Sequence, residues 1–183
     1  MKRILIALLL VTMLLLTSCS SDKADIPKKI EGTTDNAKTA SNSDDKNMKI
    51  TMAPDFELMD MEGNTVKLSD FLGKKVLINF WATWCKFCVQ EMPDLMKLQE
   101  AHKDDLVILF VNVGESKETV QKFIDEQNLS GTILLDEKKE VASLYGVDAY
   151  PTTYAVNEKG EAVTYFKGAM PYDLMEKMYD IIQ

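Results

Sequence analysis

Two cysteines three residues apart are the side chains of this sequence best placed for covalent chemistry. Cys85 and Cys88 follow the apolar run 76–80, where a helical pattern begins. Side chains three positions apart on a helix lie roughly 5 to 6 Å from each other, which suits the Cα separation of a disulfide. At the start of a helix, unpaired N–H groups and the helix dipole favour the thiolate of Cys85. The spacing therefore predicts a thiol-disulfide exchange site.

A zinc site and a structural disulfide are the two other uses of this spacing. The sequence has 3 cysteines and 1 histidine, and a structural zinc site normally has four ligands. Because only Cys19 and His102 remain outside the motif, a closed site would need a second subunit. A structural disulfide usually closes a longer loop, because the entropy that it removes from the unfolded chain grows with loop length. We therefore expect redox chemistry, with no metal and no cofactor.

The N-terminal residues predict export. Lys2 and Arg3 precede an apolar run over 4–16, which at about 1.5 Å per residue is too short to span the roughly 30 Å core of a bilayer as a helix. Residues 1–18 are therefore predicted to be a signal peptide. Residues 16–19, Leu-Thr-Ser-Cys, resemble a bacterial lipobox, in which the cysteine carries the lipid. This predicts Cys19 as a lipid anchor; the alternative is ordinary secretory cleavage, which leaves Cys19 as a free thiol.

Composition divides the rest of the chain into a tether and one domain. Residues 19–47 are rich in Ser, Thr, Asn, Asp and Lys and carry too little apolar area to offset the entropy of ordering. They are predicted to be a flexible, lipid-anchored tether, and residues 48–183 a single domain. The net charge of −8, spread along the chain, argues against nucleic-acid binding.

Strand and helix patterns alternate through the domain. Segments 56–58 and 66–68 alternate around a turn and predict a β-hairpin. Further strands are predicted at 75–80, 106–113, 132–135, 152–156 and 162–166. Helices are predicted after the cysteines, after a Ser116 cap, over 137–145 with Gly146 ending the helix, and from Pro171 at a first helical position. The expected fold is an α/β sandwich around a mixed sheet.

Five segments, in this order, resemble the TlpA/ResA-like (redoxin) proteins of the thioredoxin superfamily. They are 53–56 (Ala-Pro-Asp-Phe), 79–88 (Asn-Phe-Trp-Ala-Thr-Trp-Cys-Lys-Phe-Cys), 91–93 (Glu-Met-Pro), 111–116 (Val-Asn-Val-Gly-Glu-Ser) and 150–153 (Tyr-Pro-Thr-Thr). The resemblance implies a thioredoxin-like fold with a central mixed β-sheet flanked by helices. It also implies an N-terminal β-hairpin and an insertion of helix and strand, here 116–146, between the two halves.

The resemblance also implies roles for individual residues. Cys85 is similar to the exposed nucleophile, and Cys88 to the thiol that resolves a mixed disulfide. Pro151, preceded by Tyr150, is similar to the family's cis-proline beside the cysteines. Asn79 stands where ordinary thioredoxin has a buried aspartate.

Glu91 lies three residues beyond Cys88 and matches a glutamate near the active site of TlpA/ResA-like reductases. Partial burial would raise its pKa and let it exchange a proton with Cys88 as a third catalytic group. The alternative is a solvated residue on the helix surface. Substrate contacts are expected from a rim around the cysteines: Trp84, Lys86, Phe87, Tyr150 and Pro151.

The predicted activity is that of an extracytoplasmic thiol-disulfide oxidoreductase, anchored to the membrane as a lipoprotein monomer. The family implies reduction of exported proteins such as apocytochrome c, methionine sulfoxide reductase, or envelope and spore proteins. It also implies a membrane thiol carrier of the CcdA/DsbD type as electron donor. Four alternatives are a disulfide-forming oxidase, a thiol peroxidase, a metal chaperone of the Sco type and a binding-only lipoprotein. Ala82, where peroxidases carry threonine, and a two-residue cysteine spacing count against the second and third.

Overall fold

A computed structural model describes residues 51–182 as one mixed sheet of eight strands with helices against it. From one edge of the sheet to the other, its strands are Thr51–Met52, Glu161–Lys167, Thr152–Val156, Lys75–Trp81, Leu106–Val113, Thr132–Asp136, Glu57–Asp60 and Thr65–Lys67. The predicted signal peptide, the tether and Cys19 lie outside the described residues. The α/β prediction with a central mixed sheet is confirmed.

The elements follow one another in short alternation. The strands are β1 (Thr51–Met52), β2 (Glu57–Asp60), β3 (Thr65–Lys67), β4 (Lys75–Trp81), β5 (Leu106–Val113), β6 (Thr132–Asp136), β7 (Thr152–Val156) and β8 (Glu161–Lys167). The helices are α1 (Lys86–Ala101), α2 (Lys117–Gln127), α3 (Glu140–Leu144) and α4 (Tyr172–Ile181), with one 3₁₀ turn at Leu68–Phe71. Within this part of the chain, none of the helices has the length and apolarity to cross a bilayer.

β4 lies at the centre of the sheet and supplies side chains to both of its faces. Because side chains alternate along a strand, Leu77 and Trp81 pack into the core beneath α1, α2 and α4, while Ile78 and Phe80 pack into the core on the side of α3. Asn79 lies between Leu77 and Trp81 and so belongs to the face that α1 covers. A polar residue at that place in a buried strand needs partners from the helical layer.

Three segments meet at the end of β4 that leads into the cysteines. β4 and β5 are parallel, so both finish at this edge, whereas β7 is antiparallel to β4 and starts there. The first turn of α1, the loop between β5 and α2, and the residues that precede β7 are therefore neighbours. The topology brings together parts of the chain that lie far apart in sequence.

The predicted hairpin and insertion form, with corrections of detail. The hairpin pairs Leu58 with Val66 and adds to the sheet through β6. The insertion comprises α2, β6 and the predicted helix α3, which spans Glu140–Leu144 and is therefore shorter than the predicted 137–145. Gly146 follows this helix with φ +65°. The sequence predicts Pro171 at the first helical position of α4, but Pro171 is the extended N-cap residue, with ψ 154°. This backbone angle lies outside the helical region, so the helix begins at Tyr172.

Candidate functional site

Cys85 and Cys88 form a disulfide at the N-terminus of α1. Their Cα atoms lie 5.3 Å apart, within the range that a disulfide requires. Cys85 is the N-cap residue, and its Sγ accepts a hydrogen bond from the backbone N–H of Cys88 at 3.2 Å. A thiolate at this position would receive the same bond and the favourable end of the helix dipole. The arrangement can therefore stabilise a leaving or attacking sulfur at Cys85.

The two sulfurs differ in access to solvent. Cys88 is fully buried, whereas Cys85 is 6% exposed. Cys85 is therefore less open in the disulfide form than the expected exposed nucleophile, because it packs into the apolar cluster that also contains Ala82 and Met170. A partner thiol approaching from solvent meets Cys85 first.

Aromatic side chains form a rim beside the disulfide. Trp84 is 70% exposed and Phe87 is 63% exposed, which is unusual for side chains of this size. The ring of Trp84 meets that of the half-buried Tyr150 edge to face, with centroids 5.8 Å apart. Lys86 and Phe87 extend into solvent, and within residues 51–182 their side chains make no hydrogen bond or ring contact. The rim thus offers apolar surface around a reactive bond.

The Tyr150–Pro151 peptide bond is cis, as the resemblance implied. Pro151 is buried and precedes β7 directly. The prediction for this bond is confirmed. Tyr150 lies against Trp84 in the rim.

Glu91 is a buried carboxyl group rather than a solvated surface residue. It is 3% exposed, and its helix packs this side against the sheet. Burial in an apolar layer disfavours the charged form and raises the pKa of Glu91 from 4.5 to about 7. Two donors oppose this effect: the Met170 N–H to Oε2 and the Asn79 amide to Oε1, each at 2.9 Å. A group with this pKa can gain or lose a proton near neutral pH.

Asn79 and Thr153 complete a polar cluster that sequence reasoning did not find. They are paired across β4 and β7, and both are fully buried. Asn79 Nδ2 donates to Glu91 Oε1 and to Thr153 Oγ1, each at 2.9 Å. The position of Asn79 between Leu77 and Trp81 was the available signal that it faces α1. Its partner Thr153 and the Met170 N–H are 74 and 79 residues from Asn79 and Glu91 respectively, beyond the reach of local pattern.

Glu115 fixes the loop that enters α1. Its carboxylate accepts the Thr83 N–H at 2.7 Å, the Thr83 hydroxyl at 2.6 Å and the Asn112 amide at 2.8 Å. Thr83 lies two residues before Cys85, so Glu115 connects the β5–α2 loop to the turn that carries the cysteines. The sequence marked Glu115 only as part of a matching segment. Across residues 51–182 no three His, Cys, Asp or Glu side chains are grouped as metal ligands.

Comparison with known proteins places these features among redox proteins. Residues 51–165 match the AhpC/TSA family. The chain is 44% identical to the thioredoxin-like protein YneN of Bacillus subtilis over 132 residues, which cover 70% of this chain and 77% of that protein. It is 40% identical to the thiol-disulfide oxidoreductase ResA of Geobacillus kaustophilus, covering 72% and 76%. The crystal structure of the pneumococcal exposed lipoprotein thioredoxin from Streptococcus pneumoniae matches with a TM-score of 0.64 at 30% identity, covering 70% of this chain and 100% of that one.

Proposed function

We propose that this chain, which belongs to the AhpC/TSA family and is a thiol-disulfide oxidoreductase, reduces disulfides of exported proteins. We place this activity at the outer face of the cell membrane. The observation that carries the proposal is the Cys85–Cys88 disulfide, whose first sulfur caps α1. A bond between a more accessible and a buried sulfur suits exchange with a partner protein. Cys85, Cys88 and Glu91 are the proposed catalytic residues.

The first step is attack by Cys85. In the reduced protein, the Cys85 thiolate attacks one sulfur of the partner disulfide. A bond forms between Cys85 and the partner, the partner's S–S bond breaks, and its second cysteine leaves as a thiolate. The Cys88 N–H and the N-terminus of α1 support this step because both stabilise negative charge on Cys85.

The second step is resolution by Cys88. Cys88 loses its proton and attacks Cys85, the mixed disulfide breaks, and the partner's first cysteine leaves as a thiolate. Two electrons pass to the partner, and Cys85–Cys88 is left as a disulfide. We assign Glu91 as the base that takes the Cys88 proton, since it lies one turn along α1 and has a pKa of about 7. A Glu91→Gln variant should slow resolution; an unchanged exchange rate and unchanged cysteine titration would remove this role.

The rim supports docking of a protein substrate. Exposed aromatic surface around a reactive bond loses its contact with water when an apolar segment binds. We assign Trp84, Phe87, Tyr150 and Pro151 to this contact, with Lys86 at its polar margin. An extended segment flanking the partner's disulfide is the proposed occupant.

The proposed location follows from the N-terminal sequence and from one relative. Cys19 ends a lipobox-like segment, and a similar solved protein is called an exposed lipoprotein in its own description. We propose that Cys19 carries the lipid and that residues 20–47 tether the domain outside the membrane. Mass spectrometry of the mature N-terminus tests this: an unmodified Cys19 contradicts the anchor.

The electron donor is proposed to be a membrane thiol carrier of the CcdA/DsbD type, because a reductase whose own disulfide forms in each cycle must be reduced again. Exported proteins with an accessible disulfide are the proposed substrates, with apocytochrome c, methionine sulfoxide reductase and envelope or spore proteins as candidates. The domain is proposed to act as a monomer.

Trapping of mixed disulfides in cells tests the proposed function. In a Cys88→Ser variant, Cys85 can attack but nothing can resolve the intermediate, so exported proteins should accumulate in covalent complexes that dithiothreitol releases. The matched control is Cys85→Ser, which lacks the attacking sulfur and should trap far less. Equal trapping by the two variants, or none by either, would contradict the proposal.

A further inference from the structure

Both hydrogen-bond partners of the Glu91 carboxyl group are donors, so a protonated Glu91 would need an acceptor for its own O–H. Oε2 accepts the Met170 N–H, and Oε1 accepts the Asn79 amide. This arrangement suits the ionised carboxylate, which only accepts. A protonated carboxyl group must itself donate, and the backbone N–H of Met170 cannot become an acceptor. Of these two donors, only the side chain of Asn79 can become an acceptor.

Asn79 has the geometry for such a change. Its Nδ2 donates to both Glu91 and Thr153, while its Oδ1 is buried and has no hydrogen-bond partner. Turning the amide by 180° exchanges the two atoms. Oδ1 then occupies the place of Nδ2 and can accept two hydrogen bonds, one from a protonated Glu91 Oε1 and one from the Thr153 hydroxyl. Reversal again leaves one polar atom of the amide without a partner, namely Nδ2 with its two N–H groups in place of Oδ1.

We propose that Asn79 is a positioning residue whose side-chain amide reverses when Glu91 gains or loses its proton, with Thr153 switching between acceptor and donor at the same time. The inference rests on the proposed role of Glu91 as the base for Cys88. When Cys88 gives up its proton, Glu91 binds it at Oε1, and the reversed amide holds the neutral carboxyl group in place. When the proton leaves, the amide turns back.

The protonation of Glu91 depends on burial and on uncharged neighbours. Burial, the Met170 N–H and the Asn79 amide are the influences on the pKa of Glu91, and no charged side chain of residues 51–182 is among them. The other titratable groups of the site are Cys85 and Cys88, which do not titrate in the disulfide form. In the oxidised protein, the titration of Glu91 can therefore be followed without interference from the two thiols.

Nuclear magnetic resonance of the oxidised, isotope-labelled full chain in mild detergent tests the reversal without any substitution. The Glu91 carboxyl carbon, assigned by its absence in Glu91→Gln, reports the titration. Above its midpoint, the Asn79 amide protons should show Overhauser contacts with the Thr153 side chain. Below the midpoint those contacts should disappear. Contacts that persist unchanged through the titration would overturn the inference, even in a protein that exchanges disulfides normally.

A double-mutant cycle provides a second readout, on the rate at which Cys88 resolves a mixed disulfide. Asn79→Ala should slow resolution about tenfold in the otherwise unchanged chain and less than about twofold in a Glu91→Gln background, because the amide acts through the carboxyl group. Asn157→Ala, at a buried asparagine at the far end of β7, is the control and should leave the rate unchanged in both backgrounds. Equal slowing by Asn79→Ala in the two backgrounds would contradict the inference.

Discussion

Glu91 combines two features that rarely occur together: a carboxyl group and an almost complete lack of solvent contact. In the unfolded chain it ionises near 4.5, and in the folded chain near 7. Between these values the folded state binds more protons than the unfolded state, so stability falls as the pH rises from 4.5 to 7. Above 7 the penalty is constant, and below 4.5 it is absent. The protein thus gives up stability at neutral pH to hold a group that can exchange protons.

Glu91→Gln should therefore stabilise the oxidised protein at pH 8 by up to about 3 kcal/mol, since one pKa unit corresponds to about 1.4 kcal/mol. The gain should shrink through pH 6 and vanish near pH 4. Urea unfolding at the three pH values measures it. Glu100→Gln, at an exposed position of the same helix, is the matched control. A gain that does not depend on pH would contradict the raised pKa.

Phe87 and Trp84 should matter for large substrates and not for small ones. Phe87→Ser should lower kcat/KM about tenfold with a disulfide-bonded protein, a loss of about 1.4 kcal/mol of contact. Oxidised dithiothreitol is too small to contact the rim while it reacts with Cys85, so the rate with this reagent should stay the same. Leu144→Ser, at an exposed apolar residue of α3, controls for general loss of apolar surface. Equal losses with both substrates would show that Phe87 does not dock proteins.

Local pattern predicted the cysteine pair, and the family resemblance singled out Glu91 and Pro151, but neither indicated the partners of Glu91. The spacing of Cys85, Cys88 and Glu91 on one helix is a short-range property and can be read directly. Asn79 of β4 and Met170 of the loop before α4 reach Glu91, and Thr153 of β7 contacts Asn79. Their contacts depend on strand pairing and on the packing of α1, which no local periodicity specifies.

The loop between β4 and α1 depends on a single carboxylate from another loop. Glu115 accepts three hydrogen bonds, two of them from Thr83. Glu115→Ala leaves these donors without that partner and should cost about 2 kcal/mol of stability, with slower attack by Cys85. Chemical unfolding and thiol-exchange rates measure both effects. Glu126→Ala, at an exposed position of α2, should do neither; an unaffected exchange rate in Glu115→Ala would show that the loop does not need this clamp.

Periodicity predicted which segments form strands and helices better than it predicted where each strand lies in the sheet. The alternation around 62–64 predicted the β2–β3 hairpin, and the apolar run of 106–113 predicted β5 in full. The place of the hairpin beyond β6 was not predictable, because it depends on the insertion that supplies β6. The N-terminus of α4 shifted by one residue since Pro171 keeps an extended backbone.

We propose that the chain works as a domain on a lipid tether, so its membrane location and its disulfide exchange can be tested separately. Cys19→Ala should move the protein from the membrane fraction to the soluble exported fraction, because no other segment is proposed to hold it there. The purified variant should exchange disulfides at the parental rate, since Cys19 lies outside the domain. Cell fractionation and an exchange assay measure the two properties. Retention of the variant in the membrane fraction would contradict the anchor.

Every proposed step of the reaction requires that the Cys85–Cys88 disulfide opens and closes in the folded protein. Purified protein is equilibrated in buffers of graded reduced and oxidised dithiothreitol, quenched with acid, and only then unfolded in denaturant and labelled with iodoacetamide, so that the buried Cys88 is also reached. Peptide mass spectrometry counts the labels at each cysteine. Cys85 and Cys88 should become reduced together under mild, non-denaturing conditions, so that both are labelled. In a reduced sample that meets a disulfide-bonded protein before the quench, both should again be protected from the label. A pair that stays closed until the protein unfolds, or that opens but never passes its electrons on, would contradict the proposed reaction.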